Sequence, residues 1–146
     1  MYGEASDVAP LDWTWVDAQL LAAGTYWVVA SGEAHPHPRP VWGVWSHGSL
    51  HLSIGSHVIS RLLGKRSEVT VHLDSGVDVV IVEGSVSGFS EDESVIREYD
   101  AKYEWSYTVG EYGPLTTIVP ATVLAWRSAG RAGRDGFQLT GRWHPR

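Results

Sequence analysis

The pattern of apolar and polar positions changes period several times along the chain, and each change marks an element. Val16, Leu20 and Ala23 share one side of a helical stretch over 16–23, with Gly24 placed to end it. Residues 25–30 are rich in β-branched and aromatic side chains and read as a buried strand. In His35-Pro36-His37-Pro38-Arg39-Pro40 the prolines alternate. Missing N–H groups at every second position forbid a regular ladder, so this stretch is expected at a sheet edge or in an extended connection. Residues 41–45 resume strand character, His47-Gly48 signals a tight turn, and 49–54 return as the second arm of a hairpin. Trp42 and Val44 face one way and Val41 and Trp45 the other, so one tryptophan is expected in the core and the other at a pocket or interface.

The period then becomes helical. Ser56 is a cap for a helix with Val58, Ile59, Leu62 and Leu63 at helical spacing, stopped by Gly64. Two strands, 69–73 and 77–86, flank the Asp74-Ser75-Gly76 turn, with Gly84 as a bulge or close-approach site. Ser90-Glu91-Asp92-Glu93 reads as a capping box opening the longest helix. Val95, Ile96, Tyr99 and Tyr103 share a packing face there, and Glu98 and Lys102 form an i,i+4 pair. Residues 116–126 are strand-like around Pro120, and 137–143 make a short terminal strand. Six or seven strands with short helices between them predict a mostly β, mostly antiparallel barrel. No repeat or linker divides the chain, so 1–146 reads as one domain, with 1–12 unstructured and the Gly/Arg-rich stretch 128–136 a flexible loop.

Composition narrows the function. A chain of 146 residues buries roughly 70% of its unfolded surface without staples. It has no cysteine, which excludes disulfides, thiolate metal sites and a cysteine nucleophile. The net charge of −6 argues against nucleic-acid binding. The charge is uneven, however: residues 127–146 hold five arginines and one acid, and Arg61, Lys65 and Arg66 form a second basic island able to meet an anion. Eight Trp and six Tyr against two Phe favour rings with a polar handle, which suit pockets and interfaces. With no apolar run of about 18 to 20 residues and no signal-like start, the expectation is a soluble cytoplasmic protein without membrane contact.

Specific chemistry is thin. The elbow pattern G-x-S-x-G is missing, so a serine hydrolase is not favoured. His35 and His37 point the same way on an extended chain, and His47, His51, His57 and His72 lie on adjoining elements. No acid sits at a ligand spacing to them, so they are read as solvated or hydrogen-bonded histidines and no metal is expected. The run from Gly130 to Gly136 has the wrong spacing for a dinucleotide loop. What remains is a strand, 50–54, running into Gly55-Ser56 at the start of a helix carrying Arg61. That junction is either a plain cap or an anion site made of backbone N–H groups, the Ser56 hydroxyl and nearby cations.

Pro36-His37-Pro38-Arg39-Pro40-Val41-Trp42-Gly43-Val44-Trp45, then Leu50-His51-Leu52-Ser53-Ile54-Gly55 and Val69-Thr70-Val71-His72-Leu73, together resemble the pyridoxamine 5′-phosphate oxidase-like split barrels, in their flavin/deazaflavin oxidoreductase branch. The likeness continues through Val82-Glu83-Gly84, Ala101-Lys102-Tyr103-Glu104-Trp105, Ala125-Trp126 and Thr140-Gly141-Arg142-Trp143. It implies a six-stranded antiparallel split β-barrel of the FMN-binding type, a homodimer with the cofactor between protomers, and hydride transfer to a small unsaturated substrate. FMN or the deazaflavin coenzyme is the implied cofactor, its ring along Arg39, Pro40, Val41, Trp42 and Gly43. Its phosphate end is implied at Ser53, Ile54, Gly55, Ser56, Ser60 and Arg61. Trp105, Tyr107, Tyr112, Arg142 and Trp143 are the implied contacts from the partner protomer. The resemblance designates no catalytic side chain, because the cofactor carries the reaction.

The chain also departs from that pattern. Such proteins carry a Ser-Arg-Lys run followed by Asn-Leu in this helix, whereas here Ile59 stands near the lysine and Leu62 near the asparagine. Losing a charge-assisted hydrogen bond of about 1.5 to 3 kcal/mol weakens a phosphate ligand about ten- to a hundredfold unless Arg61, Lys65 or Arg66 reaches back. The alternatives are a split-barrel ligand or cofactor carrier without redox activity, and a relative using the aromatic groove for non-redox chemistry.

Overall fold

The computed structural model describes residues 9–127 and 139–144. Its elements run β1 (Ala9–Pro10), α1 (Trp13–Ala22), β2 (Tyr26–Ala30), β3 (His37–Ser46), β4 (Ser49–Ser53), α2 (His57–Lys65) and β5 (Glu68–His72), followed by β6 (Asp78–Ser90), α3 (Glu93–Tyr103), α4 (Val109–Tyr112), β7 (Leu115–Arg127) and β8 (Leu139–Trp143). Six antiparallel strands close a ring in the order β2-β5-β6-β7-β4-β3. The ring closes through β7, whose first residues pair with β4 at Thr116–Ile118 while its whole length pairs with β6. Its last five residues turn instead to β8, and β1 lies parallel to β8. Ala9–Pro10, within the 1–12 stretch expected to be unstructured, form β1; residues 1–8 and the 128–136 loop lie outside the described residues.

The alternating prolines occupy an edge. Residues 37–41 of β3 pair only with β2, and β4 joins from Trp42 onward. Proline cannot donate, so the hydrogen-bonded pairs with β2 fall at His37, Arg39 and Val41, and the nitrogens of Pro38 and Pro40 turn to the open side. By the same alternation, the N–H and C=O of Gly43 point to the β2 side, where β2 has already ended at Tyr26. At Gly84 the β6–β7 register shifts, opposite Pro120, and a Cβ there would overlap the Val119 carbonyl. That is the expected close approach.

Two apolar clusters form. The barrel interior holds Tyr26, Val28, Leu50, Leu52, Val71 and Val82 and is sealed by Val16 and Leu20 of α1 and Ile59, Leu62 and Leu63 of α2. A second cluster on the outer face of β3 joins Val44 and Leu115 to Val95, Tyr99 and Tyr107 of the α3–α4 region, with Ile96 and Tyr103 against it. Trp45 is 5% exposed, and its indole N–H donates to Asp17 at 2.7 Å. Trp42 is the outer ring, at 43% exposure.

Several local expectations change. Asp12 caps α1 through the Thr14 N–H at 2.9 Å, so that helix starts before residue 16, and it ends in extended Ala23 without a left-handed glycine. Gly64 lies inside α2, because burial of Leu62 and Leu63 carries the helix through it. Asp92 and not Ser90 caps α3, accepting from the Ser94 N–H at 2.8 Å. Lys102 turns inward and makes no ion pair with Glu98.

Candidate functional site

On α2, Val58, Arg61, Leu62 and Lys65 follow helical spacing and share a face, which is why one side of this short helix is both apolar and cationic. Ser56 caps it, its hydroxyl accepting from the Ile59 N–H at 3.3 Å while its own hydrogen stays available to donate. This face lines a groove of about 700 Å³ whose other wall is the β2–β3 connection, with Ser31, Gly32, Glu33, His35 and His37. Gly32 permits that wall to turn: a Cβ there would run into the His35 carbonyl and the His37 ring. The two imidazoles lie 4.8 Å apart. Arg61, Lys65 and Arg66 face a single acid of the lining, Glu33, and only Arg66 is ion-paired among the described residues, with Glu68 at 3.4 Å. Three cations against one acid give the groove a positive potential.

A second group of side chains sits on β3. Tyr103, at the end of α3, stacks flat on Trp42 with centroids 4.4 Å apart, and Trp105 meets Trp42 edge-on at 6.0 Å. The Tyr103 hydroxyl accepts from the Gly43 N–H at 2.9 Å and faces the carbonyls of Gly43 at 2.9 Å and Gly24 at 3.0 Å. It stands where a β2 residue would have paired. Lys102 donates to the Tyr26 hydroxyl at 2.8 Å and the Gly43 carbonyl at 3.0 Å, and burial pushes its amine down to about 8. Burial raises the Tyr26 phenol, with the neighbouring Tyr103 adding to it, and burial likewise raises Tyr103 against the opposing Gly43 hydrogen bond. Tyr99 and Tyr107 are also raised by burial, each partly offset by a hydrogen bond to Ser53.

This barrel resembles solved structures at low sequence identity. No family model matches the chain, and no curated protein does. An F420 reductase shares 13% identity over 72% of this chain and 93% of its own, with a TM-score of 0.58. A pyridoxamine 5′-phosphate oxidase-like protein of Listeria innocua shares 18% over 79% and 98%, with a TM-score of 0.63. The FAD-binding protein of Mycobacterium smegmatis shares 16% over 80% and 95%, at 0.56. The chain has the split β-barrel fold.

Within this split barrel the sequence-predicted residues divide among several places. Arg61 lines the cationic groove. Ser56 is the cap beside it, Gly55 is exposed and Ile54 packs on the core. Ser60 lines a different cavity, of about 330 Å³, with Leu63, Val86 and Phe89. Ser53 is engaged by Tyr99 and Tyr107. Ile59 is fully buried, so the residue nearest the expected lysine does not line the groove. On β3, Arg39 and Pro40 are exposed, the Arg39 guanidinium donates to the Pro38 carbonyl at 2.7 Å, and Val41 packs on the core. Trp42 and Gly43 are held by Tyr103 as described.

The residues assigned to a partner protomer make contacts within their own chain. Tyr107 is buried and donates to the Gly113 carbonyl at 2.5 Å; Tyr112 packs on Trp105 and Tyr107. Trp143 meets Trp13 at 5.2 Å, and Arg142 is exposed. Among the described residues no group of three His, Asp or Glu side chains is placed to hold a metal, and no helix is long and apolar enough to cross a membrane. Sequence reasoning missed Lys102, Tyr26 and the Gly32–His37 wall. The one signal for Lys102 is its place three residues after Tyr99 and next to Tyr103, at the margin of the packing face.

Proposed function

We propose that this split barrel is a homodimer that binds a phosphorylated flavin-type cofactor, FMN or the deazaflavin coenzyme, and passes hydride from its reduced form to a small unsaturated substrate. The observation that carries the reading is the cationic groove, with Arg61 and Lys65 on one face of α2 and without an ion-pair partner among the described residues. The F420 reductase and the FAD-binding protein among the similar structures support a flavin-type cofactor and do not choose between the two.

The residues present fit the anionic end of such a group: three cations and two imidazoles line about 700 Å³ of open space. When bound, the cofactor supplies the hydride chemistry. Arg61 and Lys65 would hold its phosphate, and Arg39 to Trp42 of β3 would orient the ring. Phe89 near the end of β6 and Val119 on β7 are exposed and offer a second copy apolar side chains to cover.

One observation favours the carrier reading instead. The polar groups of Gly43 are already satisfied by Tyr103 and Lys102, and Tyr103 covers one face of Trp42. A ring stacked there must displace Tyr103 or use the other face. The two readings separate in one titration, following quenching of tryptophan fluorescence by FMN and by the deazaflavin coenzyme. Saturable binding at micromolar concentration, with turnover of the reduced cofactor, supports the oxidoreductase; binding without turnover supports the carrier; no binding at high micromolar concentration sinks both. Arg61→Ala should weaken a phosphorylated cofactor about tenfold or more while leaving its dephosphorylated analogue nearly unchanged. Equal losses would make the arginine structural.

A further inference from the structure

We propose that Lys102 is a nucleophilic amine that captures a small apolar aldehyde or ketone as an imine, in the cavity between α1, β3 and α3. This cavity, of about 250 Å³, is separate from the cationic groove and is lined by Leu21, Val44, Trp45, Glu98 and Lys102. Its volume equals that of about eight waters at roughly 30 Å³ each, which limits the guest to a short carbonyl compound. Leu21, Val44 and Trp45 favour an apolar chain over a sugar.

The surroundings of the amine offer it acceptors and no donor. Lys102 makes no ion pair among the described residues. Its nitrogen donates to the Tyr26 hydroxyl and to the Gly43 carbonyl. It also lies over the ring faces of Tyr26 at 4.7 Å and Tyr103 at 5.3 Å. The Tyr26 hydroxyl spends its own hydrogen on the Leu20 carbonyl at 2.6 Å, and the Gly43 carbonyl has none to give. Neither hydrogen-bonding partner can therefore donate to the nitrogen lone pair. In the neutral amine, two N–H bonds anchor the nitrogen, and its lone pair receives no hydrogen bond from either partner. With the amine depressed to about 8, about a quarter is neutral at pH 7.5, against about a thousandth for an amine titrating near 10.4.

The step balances without a co-reactant. The nitrogen lone pair forms a C–N bond to the carbonyl carbon, and the π pair moves to oxygen, which takes up the proton released from nitrogen. A second proton transfer expels water and leaves C=N; water reverses it. Glu98, one helical turn before Lys102 and lining the same cavity, is placed to carry those protons.

The chain has only two lysines, Lys65 and Lys102, which makes the test simple. Full-length protein is incubated with millimolar butanal and cyanoborohydride, the latter supplying hydride to trap the imine, and both lysine peptides are followed by mass spectrometry. Lys102 should be alkylated at least tenfold faster than exposed Lys65 at pH 7.5, with a rate that levels off above about pH 8. In 8 M urea that preference should vanish. Equal or faster labelling of Lys65 in the folded protein, or a Lys102 preference that persists in urea, overturns the proposal.

Discussion

Replacing Tyr103 by phenylalanine removes one oxygen and leaves the ring on Trp42. That oxygen is the partner of the Gly43 N–H at 2.9 Å, on a side of β3 where β2 pairing has ended at Tyr26 and Val41. Gly43 is buried, so the amide has no route to water without distortion. Leaving a buried donor unsatisfied costs about 1–3 kcal/mol. The Gly43 carbonyl keeps the Lys102 amine at 3.0 Å, and the exposed Gly24 carbonyl turns to solvent, so neither adds much. The expected loss is thus about 1–3 kcal/mol, nearly all from one N–H. With a urea slope of about 1–3 kcal/mol/M for a small protein, the midpoint should fall by on the order of 1 M at unchanged slope. Urea denaturation read by tryptophan fluorescence and circular dichroism measures it. Tyr103→Leu should lose roughly 0.5–1.5 kcal/mol more, because the stacked pair goes too. A Tyr103→Phe midpoint equal to wild type would refute the idea that this hydroxyl completes the β3 edge.

Other substitutions test other parts of the account. Gly84→Ala places a methyl against the Val119 carbonyl, which is backbone and cannot rotate away, so thermal denaturation should show a loss of about 1–3 kcal/mol; a neutral result would mean the β6–β7 register slides freely. Stability should rise with pH from about 8 towards 10. There the folded Lys102, depressed to about 8, has given up its proton, while the unfolded lysine, near 10.4, still binds one. Above about pH 10 the raised tyrosines reverse the trend, because unfolded phenols ionise first. Urea midpoints from pH 7 to 9.5 should climb in wild type and stay flat in Lys102→Met; a flat wild-type profile would contradict the buried amine. Phe89 is 71% exposed; if the proposed homodimer covers it, Phe89→Glu should turn a wild-type dimer into monomers in sedimentation, and a variant that still sediments as the wild type does would refute that placement.

The barrel was legible because its punctuation is local. Alternating prolines restrict the backbone wherever they stand, the His47-Gly48 turn takes φ of 52° and 75°, and Gly84 marks a close approach of two backbones. Cap positions were less legible, since acids and serines crowd residues 90–94 and only the folded helix selects Asp92. Arg61 was readable as part of a basic island at a helix. Lys102 was not, because Glu98 four residues earlier offers an ordinary surface pairing, and what turns the amine inward is the early end of β2 and the unpaired backbone it leaves at Gly43. The Gly32–His37 wall becomes part of a site only when the β2–β3 connection folds against α2, a contact between segments with no shared periodicity.

The ring has one closing strand, and that sets an order on its assembly. Until β7 is made, the edges of β4 and β6 both stand open, and they are the edges β7 will join. At about 5–20 residues per second, a ribosome takes about 2–7 s to pass from Ser90 to Arg127. Through that interval a nascent chain exposes a gap of the right shape for the β7 of another copy, the circumstance in which strands are exchanged between molecules. The Tyr107 hydroxyl, fastened to the Gly113 carbonyl two residues before β7 begins, folds the approach to the closing strand back on its own barrel and favours closure within one chain.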